Sequence, residues 1–305
     1  MKLRYPSEGL RVLCGLFGLT RHAYYKAVKR KEQQDIRDHL MIEKVKKIRQ
    51  DLPGTGTRRL HHMTISYRKK HGIKMGRDKL HEVLRKADMH ISFKKRSTRT
   101  TYSDHGYKRY KNLTEGLEIT AINQLYVSDI TYIPVGSGFA YLSLVTDAYS
   151  RKIVGWHLHK SLHAIGSIKA LNMALNQKGE HPPYQMIHHS DRGIQYCCND
   201  YIKLLNDNKI LVSMTNFPDP LENALAERMH RTLKEEFKLE RGFPTFDLAL
   251  QAVARTIYVY NHKYPHGSLG YLTPNQVHRG RKPGKKKWKK YSRKANQAVL
   301  DAMVA

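Results

Sequence analysis

The sequence predicts an α/β chain whose core is a mixed sheet of order β-β-β-α-β-α-β-α. An all-α region precedes it and a basic tail follows it. Three observations carry this prediction. From residue 124 onward, short strand-like runs alternate with helix-period runs. Residues 1–93 show helical periodicity and no strand pattern. The charge falls in blocks that follow nearly the same borders. The expected organisation is a helical region of two helical pairs (1–93), a basic linker (94–120), an α/β core (121–240), a C-terminal helix with its trailing motif (241–280) and a basic tail (281–305).

The elements follow in order. Leu10, Leu13, Cys14 and Phe17 recur at helical spacing. Gly18 stops that helix, and Thr20 is placed to cap a second short one through Tyr24 and Tyr25, a helix-turn-helix-like pair. A further helix carries Ile36, Leu40, Val45 and Ile48 on one face and ends at Pro53-Gly54. GTGTRRLHHMTISYRKKHG reads as one helix closed by Gly72, and GRDKLHEVLRKADM as its partner, with a strongly basic polar face. KKRSTRTTYSDHGYKRYKN, residues 94–112, has no periodicity and many charges.

The core begins at QLYVSDITYIPV. This run, GFAYLSLVTDAYS and RKIVGWHLH are three successive strands, the first two joined through Gly136-Ser137-Gly138. AIGSIKALNMALNQ is a helix, YQMIHHSD a strand, CNDYIKLLNDN a helix, ILVSMT a strand and LENALAERMHRTLKEEF a helix. An antiparallel meander followed by parallel crossover units is the order of the ribonuclease-H-like fold. DLALQAVARTIYVYNHKY adds an amphipathic helix.

The net charge of +29 over 305 residues points to a polyanionic partner. Residues 1–120 carry 30 Lys and Arg against 12 acids, residues 121–240 carry 12 against 12, and residues 241–305 carry 13 against 2. A neutral core between basic ends suits catalysis flanked by nucleic-acid grip, and a solvated basic surface is the alternative. Three cysteines give neither a disulfide framework nor C-x-x-C spacing. The adjacent pairs His61-His62 and Cys197-Cys198 disfavour a tetrahedral zinc site. No apolar run spans a bilayer, and a cytoplasmic, reducing setting is expected.

Three acids stand out. Asp129 lies inside the first strand, where an acid is costly unless it is paired or binds metal. Asp191 ends the fourth strand, the usual place for sites in α/β sheets. Glu227 sits on the helix after the fifth strand, with Arg231 one turn on and Lys234 two turns on, on the same face. Singly, Asp129 could be an edge acid, Asp191 a turn acid beside Gly193, and Glu227 a surface acid paired to Arg231. Asp147, at the end of the second strand, reads as a turn acid. Together, acids on strand, strand end and helix form the oxygen-rich set that Mg²⁺ prefers.

The motifs VSDITYI, DAYSRKIVGW, IHHSDRGIQY, SM followed by NALAE, and YNHKYPHGSLGYLTP resemble the DDE transposases and retroviral-type integrases. They are most similar to the orfB half of the insertion-sequence-three transposases. Asp191 and Glu227 leave 35 residues between them (227 − 191 − 1), the gap of that group. LCGLFGLTRHAYY and GTGTRRL match the family's helical region, so the resemblance covers roughly residues 7–280.

The resemblance implies Asp129, Asp191 and Glu227 as Mg²⁺ ligands, two ions to a site with Mn²⁺ as a substitute. It implies Lys234, His189, Arg192, Gln195, Ser213 and Asn223 along the DNA, and Arg58 and Arg59 of GTGTRRL are further DNA-contact candidates. It also implies cleavage and strand transfer at element ends, double-stranded DNA (terminal inverted repeats and target), a homo-oligomer on DNA, and an upstream-frame, orfA-type protein as fusion or partner. Asn261 and His266 fall in a family motif of underived role. Glu222-Asn223 replaces the family's Asp-Asn, and NFPDP replaces its Gly-x-Pro loop. A catalytically silent DNA-binding regulator and a ribonuclease-H-like nuclease without strand transfer are the competing readings.

Overall fold

The computed structural model describes residues 5–91, 106–177, 185–216 and 223–283. The expectations for residues 94–105, for Glu222 and most of the NFPDP loop, and for the tail from residue 284 lie outside the described residues. The chain divides into two compact units. The first comprises Met1–Thr101, Ile133–Gly138 and Glu227–Ala252, the second Tyr102–Tyr132, Phe139–Ala226 and Val253–Ala305.

In the first unit, α1 (Leu10–Gly15) is followed by α2 (Arg21–Asp51), α3 (Thr57–Met63), α4 (Ile65–Lys70) and α5 (Arg77–Lys86). Thr20 caps α2, its Oγ1 accepting from the Ala23 amide at 3.1 Å. The expected short second helix and the longer one after it are a single helix of 31 residues, because nothing between Tyr25 and Ile36 breaks the backbone. The helix-turn-helix-like pair around Gly18 is therefore α1 and the first turns of this long helix. Only Leu13 and Cys14 of the first apolar face are buried, and Phe17 is 64% exposed.

The single helix expected over residues 57–71 is broken in two at Thr64, whose buried hydroxyl donates to the Leu60 carbonyl at 2.8 Å. Met41 and Val45 of α2, Leu60 of α3, and Leu80, Val83 and Leu84 of α5 share one core with Ile73 and Met75. Arg49 is a framework residue, donating to the carbonyls of Met89 and Thr55.

In the second unit, β1 (Leu125–Val135), β2 (Gly138–Asp147), β3 (Ile153–His159), β4 (Ile187–Ser190) and β5 (Leu211–Met214) form a sheet of order β3-β2-β1-β4-β5. The tip of the β1–β2 hairpin belongs by contacts to the first unit. β2 and β3 pair antiparallel, and β4 pairs parallel with both β1 and β5. The helices are α6 (Ala164–Asn176), α7 (Ile194–Cys197), α8 (Asn199–Asp207) and α9 (Ala224–Arg231), whose last residues belong to the first unit. They are followed by α10 (Phe246–Lys263), which begins in the first unit, and α11 (Pro274–His278). The predicted ribonuclease-H-like order is thus borne out.

Pleat alternation sorts the core into two clusters. Tyr126 faces Val145, Val154, Leu171, Tyr201 and Leu205, while Leu125 and Val127 face Ala148, Ile187 and Ala226. Helix α6 lies directly on β3 because Gly155 has no side chain: a Cβ there would sit 2.0 Å from the Ala170 carbonyl oxygen. The outer edge of β3 is covered by the motif residue Asn261. Its side-chain amide accepts from the Ile153 amide at 3.0 Å and donates to the Ile153 carbonyl at 2.9 Å, as a neighbouring strand would.

Candidate active site

The first two acids are placed by strand register. Leu125, Tyr126 and Val127 of β1 stand opposite Ile187, His188 and His189 of β4, an offset of 62 (187 − 125). Asp129 lies two residues past the last paired residue of β1, and Asp191 two past that of β4. Adjacent strands lie about 4.8 Å apart. Alternation puts Asp129 on the face of Leu125 and Val127, the face against which Ala226 of α9 packs. β4 ends at Ser190, so Asp191 emerges at its carboxyl end.

Both carboxylates are half-buried and locally oriented. One oxygen of Asp129 accepts from the Ile130 amide at 2.8 Å, and one oxygen of Asp191 accepts from the Gly193 amide at 3.0 Å. Asp191 is therefore also the turn acid that its neighbour Gly193 suggested. Both carboxylates act on the same buried phenol. Burial raises the Tyr196 hydroxyl well above its usual range, and Asp129 and Asp191 both push it further. The Cys197 thiol is pushed up to about 11, first by burial and then by Asp191. Residue reasoning passed over Tyr196 as a neighbour of the acids. Its place in IHHSDRGIQY, five residues after Asp191, was the available signal.

Beneath the acids the sheet is polar but closed. His188 is fully enclosed, its Nε2 sharing hydrogen bonds with Ser128 Oγ at 2.7 Å and Tyr201 OH at 2.9 Å. Burial pushes its imidazole down to about 3, with His189 adding to the shift. His189 and Ser213, expected along the DNA, are 2% and 0% exposed. His189 Nδ1 and Ser213 Oγ lie 2.9 Å apart, and the same hydroxyl accepts from the Leu113 amide. Asn223 is likewise buried, its amide reaching the Ser128 carbonyl at 3.4 Å.

The hydrogen bonds of these three side chains lie within the second unit: β4 is an inner strand, and on the edge strand β5 the Ser213 hydroxyl is engaged by the Leu113 amide. Arg192 and Gln195 are half-exposed, and Gln195 donates to the Leu162 carbonyl at 2.9 Å.

Glu227 belongs to the first unit. It is exposed on α9, and among the described residues no ion pair holds it, Arg231 included. α9 does not continue as α-helix. A π turn, Thr232–Glu236, follows at once, closed by the Phe237 amide on the Thr232 carbonyl at 3.3 Å. Lys234 sits in that wider turn, so seven-residue spacing no longer fixes it to the face of Glu227. Arg58 is exposed. Arg59 is paired with Glu236 and largely buried.

Asp147 is buried and accepts from the Asn123 amide at 2.7 Å and from the Ser150 amide and hydroxyl at 2.6 Å each. It closes the β2–β3 turn, as its position suggested. Among the described residues, no three His, Cys, Asp or Glu gather closely enough to hold a metal ion together. The Asp129–Asp191 pair does supply two adjacent hard oxygen donors, the kind a divalent cation takes. No helix among the described residues is long and apolar enough to cross a membrane.

Residues 119–220 match the family model described as Integrase core domain, and residues 208–274 match a second model of that description. The chain is 33% identical over 268 residues to the insertion element IS600 uncharacterized 31 kDa protein of Shigella sonnei, covering 86% of this chain and 96% of that one. It is 32% identical over 178 residues to the transposase InsF for insertion sequence IS3fB of Escherichia coli, 58% of this chain and 61% of that one. Among solved structures, the HTLV-2 integrase catalytic core domain in complex with magnesium aligns at a TM-score of 0.41 and 16% identity, over 51% of this chain and 96% of that one. The nearly end-to-end relative and the two integrase-core matches establish that the chain belongs to the insertion-sequence transposases with an integrase core, the DDE-type transposases.

Proposed function

We propose that this chain cuts phosphodiester bonds at the ends of an insertion sequence and joins each freed 3′-OH to a second DNA phosphate. The observation that carries the reading is that Asp129 of β1 and Asp191, just past the end of its parallel neighbour β4, both act on the buried Tyr196 hydroxyl. Glu227 is the third acid. When bound, two Mg²⁺ ions, or Mn²⁺ in their place, would activate the attacking oxygen and steady the leaving one.

The chain's own residues then position and shield. Asp129 and Asp191 hold fixed orientations through the Ile130 and Gly193 amides, and the buried His189–Ser213 pair keeps the floor beneath them rigid. Arg58, Arg192, Gln195 and Lys234 contact DNA, and the basic ends supply grip that carries no sequence information. In the first step, water attacks the phosphorus in line and the P–O bond to the 3′ oxygen breaks. In the second, that 3′-OH attacks another phosphorus and displaces the oxygen already bonded there. Neither step needs a covalent protein intermediate. The working species is a homo-oligomer on paired ends, joined or fused to an upstream-frame, orfA-type protein.

The test uses a duplex bearing an element end. Wild type with Mg²⁺ should nick it and yield joined products, and Asp191→Asn should abolish both while binding the duplex unchanged. Nicking without joined products would leave a nuclease, and binding without nicking would leave a DNA-binding regulator. Strand transfer retained by Asp191→Asn would end the assignment.

A further inference from the structure

The π turn after α9 is gripped from a distant part of the sequence, inside the first unit. The Gly54 amide donates to the Glu236 carbonyl at 2.7 Å. The approach is so close that a Cβ on Gly54 would lie 2.4 Å from the Glu236 Cα and 2.6 Å from its carbonyl oxygen, so only glycine fits. A few residues on, the Arg59 guanidinium pairs with the Glu236 carboxylate, the two side chains 18% and 21% exposed. Arg49 holds the Thr55 carbonyl, fixing the loop that presents both contacts. The far end of the segment is fixed as well. Phe243 bridges Val135, its amide donating to the Pro134 carbonyl at 3.0 Å and its carbonyl accepting from the Gly136 amide at 2.9 Å. Leu233 and Leu239 are buried between these anchors.

π turns are rare and persist where surrounding contacts hold them. This one begins five residues after Glu227 and contains Lys234. We infer that Arg59 is a positioning residue for strand cleavage. Through Glu236, and with the Gly54 contact, it holds the π turn that sets the orientation of the Glu227 helix and of Lys234. Helix α3, which carries Arg59 beside the exposed Arg58, is thereby tied to the carboxylate helix. The inference rests on the proposed role of Glu227 and goes beyond it by assigning the helical region a part in catalysis as well as in grip.

The experiment takes the full chain as wild type, Arg59→Ala, Arg59→Lys and the exchange Arg59→Glu with Glu236→Arg. Displacements of about 1 Å at a reacting group cost on the order of 100-fold in rate. Arg59→Ala should lose about that much Mg²⁺-dependent nicking while its Kd for the end duplex stays within about threefold. Arg59→Lys and the exchange should restore part of the rate. Amide hydrogen exchange over residues 232–237 should rise in Arg59→Ala and in Gly54→Ala and fall back in the exchange variant.

Loss of duplex affinity in step with rate would overturn the inference, because Arg59 would then be a DNA contact. Unchanged rate with faster exchange would overturn it too, because the clamp would then be structural only. The exchange measurement needs no activity, so a wild type that fails to nick would defeat the proposed function without being mistaken for failure of the clamp.

Discussion

The aspartates and the glutamate are held by different physics. Asp129 stands on β1, and Asp191 directly follows β4, its parallel neighbour. A slip of β1 against β4 would turn every side chain of the strand to the opposite face. Glu227 stands on an exposed helix of eight residues that passes straight into a π turn. Its orientation depends on what holds the helix ends: the Asn223 amide on Ser128 before it, and the Gly54 and Arg59 contacts on Glu236 after it. On the proposed reading, two acids are pre-set by the core and the third is adjustable through the helical region.

The comparison can be broken or sharpened by experiment. The largest effect is expected at the sheet pair. Asp129→Asn should lower cleavage by about 10³-fold or more, since several kcal/mol of charge stabilisation are removed. Its thermal melting should stay close to wild type, because asparagine keeps an oxygen that can accept from the Ile130 amide. A cleaving Asp129→Asn would break the pairing argument.

Asp147→Ala should do the reverse. It leaves the Asn123 and Ser150 donors unsatisfied and should cost about 3 kcal/mol in urea unfolding. Any cleavage lost should be recovered once the unfolded fraction is discounted. A stable but inactive Asp147→Ala would move that acid into the site.

A smaller effect comes from His188. Its folded pKa near 3 lies below the usual value of about 6.5. The unfolded chain therefore takes up a proton first as pH falls. Stability should be undiminished above about pH 6.5 and decline toward pH 3, by up to about 1.4 kcal/mol per pH unit from this group. His188→Gln should flatten the decline between pH 6 and pH 4, read by urea titration at each pH. An equal slope in both proteins would show that His188 stays solvated.

Much of this was legible in the sequence, for local reasons. The alternation of strand and helix periods marked the elements of the core. Gly136-Ser137 marked the hairpin, Thr20 marked a cap, and Asp147 marked a turn.

What escaped depends on contacts between distant residues. Arg59 reads as one more basic residue on a basic helix until Glu236, 177 positions away, is seen against it. His189 and Ser213 read as polar and available, but β4 is an inner strand and on the edge strand β5 the Leu113 amide engages Ser213, so both are buried. The π turn has no signature in TLKEE, and the residues that grip it, Gly54 and Arg59, are far away in the sequence. Thr64 splits a helix that periodicity alone joins, through a hydroxyl bond to its own backbone.

The central claim is that the adjustable acid is as catalytic as the pre-set pair. The most direct measurement is Mg²⁺-dependent nicking of an end-containing duplex by full-chain Glu227→Gln, with duplex binding and thermal melting measured on the same preparation. The account predicts binding and melting like wild type, and nicking reduced by at least about 100-fold. Nicking within about threefold of wild type would contradict it and leave Glu227 an ordinary surface acid of its helix.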